Sequence, residues 1–272
     1  MSEQNQTKFL TGFFSALPLV IFLLIDVFAL YLQAHSKALS HLAFAVLSAQ
    51  LLCILVFLKG DICNGQRARL LKANRYFLIY WLCWFLLSFF STYHYILTDI
   101  ISLCGILMFL CINKPPQDIQ MRRSMLIVAA LIGALGILSY LIMLVRLPLS
   151  DWLQYNPVAQ LLAGTVLANI MLVVARNRLQ GFIALLCLSQ GGLLFLNALC
   201  VLALLAVAYF NQTLAIANQA ALILYFVLHI FISFMPAQAV FRNKALSYNS
   251  LLIVLTLCAS LPLWATFAYI GA

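Results

Sequence analysis

The sequence predicts an all-α, polytopic transmembrane bundle of about nine spans, and three observations predict it. Of its 272 residues, 66% are hydrophobic and only 8% are charged. Soluble domains carry roughly 25% charged residues, so lipid must be the solvent for most of this chain. The mean hydropathy of +1.09 agrees. The apolar residues fall in runs near the roughly 20 that a helix needs to cross a bilayer core of about 30 Å. These runs are apolar on every side, whereas a membrane barrel alternates apolar and polar residues. Thirteen of the fifteen Lys and Arg residues also fall on one side of a nine-span arrangement.

The first run, 9–32, contains Pro18, which removes a backbone hydrogen bond and permits a kink. Its apolar stretch of about 24 residues exceeds the core of a signal peptide, and no A-x-A site follows, so it reads as a retained span. The second run is 39–58. A basic segment follows, with Lys59, Arg67, Arg69, Lys72 and Arg75. The third and fourth runs, 76–90 and 95–112, are kept separate by charge. Merging them would put the two most basic loops on opposite sides, against the positive-inside rule.

The fifth and sixth runs, 125–145 and 158–175, carry the small-residue pairs Ala129–Gly133 and Gly164–Ala168, which let helices approach closely. The seventh, 182–210, has 29 residues, or about 43 Å of helix. Gln190-Gly191-Gly192 interrupts it, and a tilted, projecting helix is favoured over a broken one. The eighth and ninth runs are 214–234 and 251–270. The whole chain, 1–272, thus forms a single integral membrane domain with no repeat visible by eye.

With nine spans, one face collects Lys8, Lys59, Arg67, Arg69, Lys72, Arg75, Lys114, Arg122, Arg123, Arg176, Arg178, Arg242 and Lys244. The other has Lys37 and Arg146. The positive-inside rule therefore puts the N-terminus in the cytoplasm and the C-terminus outside, in a bacterial-type inner membrane. The net charge of +9 is explained by topology, with attraction to an anionic cytoplasmic leaflet as a by-product, and calls for no nucleic-acid partner. The eight Cys residues form no CxxC pair, and most read as buried free thiols.

Asp26 is the sharpest chemical signal. It lies about six residues from the outer end of an otherwise apolar helix, where a charge costs about 2.5–3.5 kcal/mol or more. A partner, a wet cavity or protonation must offset that cost. Asp99, with Tyr95 and Ser102 on its helix face, belongs to the same outer half, and a contact between the two carboxyls would let them share a proton or a cation. His35, His41 and His94 cluster near the outer ends but lack the spacing of a metal site. In the eighth span Tyr225, His229 and Ser233 recur every four residues, a stripe suited to a proton relay or to bridging helices. Trp152 and Tyr155 read as interface anchors. No phosphate loop, HExxH, GxSxG or EF-hand pattern occurs, and neither a cofactor nor a metal is expected.

The first basic loop reads Gly60-Asp61-Ile62-Cys63-Asn64-Gly65-Gln66-Arg67, and the second reads Arg176-Asn177-Arg178-Leu179-Gln180-Gly181. Nine helices with such loops after the second and sixth spans resemble the layout of UbiA-type prenyltransferases. That family holds Mg²⁺ and a prenyl diphosphate on aspartate-rich motifs in those loops; here Asp61 is the sole acid, so the resemblance covers topology only.

The leading expectation is a proton- or cation-coupled carrier or binding protein for a small solute, with Asp26, Asp99, His229 and Tyr225 as coupling groups. Alternatives are a membrane enzyme acting on a prenyl or other lipid, drawing its diphosphate to Arg67, Arg69, Lys72 and Arg75, and a non-catalytic subunit packed against a membrane-protein partner.

Overall fold

The computed structural model describes residues 3–32, 37–177, 179–210, 218–241 and 246–268. Among them the chain is helical throughout, with no strand: α1 Glu3–Leu32, α2 Ala43–Lys59, α3 Asn64–Phe90, α4 Ile96–Asn113, α5 Ile119–Val145, α6 Pro157–Val174, α7 Gln180–Phe210, α8 Gln219–Phe241 and α9 Tyr248–Phe267. A short 3-10 turn, Leu149–Leu153, precedes α6. Eight helices are long and apolar enough to cross a membrane; α2, at 17 residues, is a shorter apolar helix. Each predicted span finds a helix, and α7 runs unbroken through Gln190-Gly191-Gly192.

The boundaries move where polar residues begin a helix that the apolar pattern starts later. α3 begins at Asn64, where the Gln66 side chain accepts the Cys63 backbone N–H at 3.2 Å, so most of the predicted 59–75 loop is helix. α5 begins after Asp118, whose carboxylate accepts the N–H groups of Gln120 and Met121. α6 begins after Asn156, which accepts the Val158 N–H, with Pro157 at the first helical position.

Helix α6 is the axis, and most of its residues are buried. Beside it lies α2, in the same direction and close register: Phe44 N–H donates to Gln160 Oε1 at 3.0 Å, and the backbone of Ala45 passes against Gly164. α3, α4 and α5 close around α2, while α7, α8 and α9 close around the far side of α6. α1 lies between α3 and α9 against α6. Small residues set these approaches. Gly105 lies under the Trp81 ring, Gly133 meets Leu51 and Met108, and Gly136 meets Leu47 and Cys104. The predicted small-residue pairs therefore serve packing within the chain.

The outward surface is what lipid requires: Leu24, Phe28, Leu131, Leu188, Phe195 and Ile230 are all exposed. Tyr155 corrects an expectation. It is fully buried, with its carbonyl accepting the Tyr140 hydroxyl at 2.9 Å, and is a core residue rather than an interface anchor. Trp152 Nε1 donates to the Leu147 carbonyl at 3.4 Å.

Candidate functional site

Three groups of polar side chains lie inside this apolar bundle. The first surrounds Asp26, which is fully buried on α1. Residues 37–42 fold back into the bundle and bring Ser40 and His41 to it, while α3 brings Tyr80. Oδ1 accepts the His41 backbone N–H at 2.9 Å, and the His41 ring Nδ1 sits 2.7 Å from the same oxygen. Oδ2 accepts the Ser40 hydroxyl at 2.6 Å and the Tyr80 hydroxyl at 2.8 Å. Both carboxylate oxygens are thus served, two of the donors being hydroxyls and one a backbone N–H. The Nδ1 contact is one of proximity: both ring nitrogens of His41 are buried, and neither has a hydrogen-bond partner among the described residues.

Asp26 and Asp99 do not share a proton site in this arrangement, because each turns to a histidine. Asp99 Oδ2 lies 3.3 Å from His94 Nδ1, in a pair that is partly exposed at the end of the bundle. Thr98, beside it, donates to the Ala38 carbonyl at 2.8 Å and pins α4 to the segment that carries Ser40 and His41. His35 lies outside the described residues.

The second group joins α6, α7 and α8. Asn197 Nδ2 lies 2.8 Å from the Tyr225 hydroxyl and 2.9 Å from His229 Nε2, while its Oδ1 accepts Asn156 Nδ2 at 2.8 Å. His229 Nδ1 is 2.9 Å from the Tyr225 carbonyl. The predicted pair Tyr225 and His229 is therefore brought together and extended sideways into α7. Ser233 does not join it and donates to the Ile230 carbonyl of its own helix. Two turns before Asn197 on the same face of α7, Gln190 is 1% exposed, and neither of its amide atoms has a hydrogen-bond partner among the described residues.

The third group is the basic end of the bundle. Arg69 Nε donates to the Ala175 carbonyl at 2.8 Å, and Gln66 Nε2 to the Arg176 carbonyl at 3.4 Å. Both therefore cap the C-terminus of α6, where Arg176 takes a left-handed φ of 50°. Lys72 is half-buried and Arg75 is exposed. Arg67 turns the other way, toward Arg122 of α5. Arg178, Arg242 and Lys244 lie outside the described residues.

The sequence singles out Asp26, Tyr225 and His229 and groups His41 with Asp26 near the outer ends, but it does not assign Ser40, Tyr80 or Asn197 to their groups. Ser40-His41 at the mouth of the second apolar run was the available signal for the first group. Tyr80 and Asn197 sit on apolar helices where nothing local marks them.

Nine helices among the described residues, with apolar outer surfaces and a few polar groups set in an apolar core, define a multi-pass integral membrane protein. The chain belongs to the family described as an integral membrane domain, whose model matches residues 5–267. It is 43% identical over 267 residues to an uncharacterized protein of Haemophilus influenzae, a match that covers 98% of this chain and 100% of that relative. No solved structure matches the chain.

Proposed function

We propose that this protein is a proton-coupled carrier or binding protein for a small polar solute. It would sit in the bacterial inner membrane with its N-terminus in the cytoplasm and its C-terminus outside. The observation that carries this reading is the buried Asp26–His41 pair, whose imidazole keeps an unpartnered Nε2 inside the bundle. A carboxylate and an imidazole brought together inside an apolar bundle are the side chains best suited to pass a proton. Ionisable residues inside a membrane mark proton and ion paths more often than ornament. The Asn197–Tyr225–His229 group, with Gln190 beside it, would supply the donors and acceptors that face the solute.

The test uses protein reconstituted in vesicles that contain a pH-sensitive dye, challenged with panels of amino acids, sugars, nucleosides and organic acids. One solute class should drive proton entry in wild type but not in Asp26→Asn or His41→Gln. Size-exclusion profiles would confirm that both variants remain folded. Folded wild-type protein that moves no protons with any panel, or an Asp26→Asn variant as active as wild type, would sink the proposal.

A further inference from the structure

We infer that a cleft between α3, α4 and α5 binds the phosphate group of an anionic lipid, held between Arg67 and Arg122. The site lies away from Asp26 and does not depend on the transport reading. The end of α2, the first turns of α3, the end of α4 and the start of α5 line a shallow cleft open at the surface. Phe57, Leu71, Ile112 and Pro115 form apolar walls, and the two guanidinium groups are its cationic lining.

Two like charges on one apolar cleft repel each other, and no carboxylate among the described residues pairs with them. The nearest acid in sequence, Asp118, lies one turn before Arg122. It spends its oxygens on the backbone N–H groups of Gln120, at 3.4 Å, and Met121, at 2.9 Å. Arg67 Nε is buried with no hydrogen-bond partner. Arg69, by contrast, caps α6; what sets this cleft apart is two guanidinium groups on one apolar surface, one of them with a buried, unpartnered Nε.

A buried N–H without an acceptor and two uncompensated cations ask for an anion with several oxygens. Phosphate fits, because the guanidinium fork donates in parallel to two of its oxygens. The apolar walls favour a lipid as its carrier: a free phosphate gains nothing from Phe57, Leu71 or Ile112, whereas the glycerol and first acyl carbons of a phospholipid do. The cleft also lies at the chain's basic end, level with Ile119 and Met121, large apolar side chains that are 72% and 59% exposed where a headgroup region would lie.

The experiment is native mass spectrometry of the full chain released from detergent. Phosphatidylglycerol, phosphatidylcholine and inorganic phosphate would be titrated separately. Phosphatidylglycerol should stay bound through delipidation, and the Arg67→Gln/Arg122→Gln double variant should weaken it about tenfold or more, while Arg75→Gln leaves it unchanged. The charge-keeping double variant Arg67→Lys/Arg122→Lys guards against misfolding and should also bind more weakly, since lysine lacks the fork. Equal retention of phosphatidylcholine, or binding of inorganic phosphate alone, would overturn the anionic-lipid assignment. Equal loss in Arg75→Gln would show diffuse attraction to basic protein and overturn the site.

Discussion

At the scale of single residues, this bundle distinguishes polar groups that are satisfied from those that are not. Asp26, Asn197 and Gln160 spend most of their hydrogen-bonding capacity on named partners. Gln190 spends none. A buried amide left unpaired costs about 1–3 kcal/mol, a cost that persists where the group serves something other than stability. Gln190→Leu, similar in volume and without polar atoms, should therefore stabilise the purified protein by about 1 kcal/mol. A rise in melting temperature, read by thermal shift in detergent, checks this; a fall would mean that the amide is satisfied by bound water. The sequence makes Asp26 conspicuous because any charge stands out in Ile25-Asp26-Val27. Its partners are hidden for an equally physical reason: Tyr80 is 54 residues away on another helix, and a tyrosine in an apolar run looks like core.

At the scale of helices, close approach is what the small residues provide. A Cβ added to Gly164 would sit 2.6 Å from the Ala45 backbone carbonyl oxygen, and backbone of a neighbouring helix cannot swing aside as a side chain can. Gly164→Ala should push α2 from α6 and cost about 1–3 kcal/mol, the range for overpacking a tight interior. Gly181→Ala, at a position with open space around it, serves as the control in the same denaturation series. Element existence was legible because runs of apolar residues of bilayer length admit few other readings. Element ends were less so. Asn64–Arg75 is polar enough to read as loop, yet it is helical because Gln66 and Arg69 bind the end of α6, contacts that no local pattern announces. The same blindness placed Tyr155 at an interface when it fills the core under Tyr140.

At the scale of the whole molecule, orientation rests on charge, and a native thiol can report it. Cys63 is exposed in the short turn between α2 and α3, at the basic end. A charged, membrane-impermeant maleimide should spare Cys63 in intact spheroplasts and modify it in inverted vesicles. The opposite pattern, read by mass mapping, would reverse the topology. The wiring of α1 has a consequence of a different kind, one that concerns synthesis. Its polar anchor, Asp26, is completed by residues 40, 41 and 80, so the first helix leaves the ribosome well before its hydroxyl partner on α3 exists. In that interval the carboxyl sits in lipid without its α3 partner, which is costly. The emergence of α3 is then the event that locks the first helix to the third. A nascent chain that stalls before Tyr80 carries a first helix whose polar anchor is incomplete.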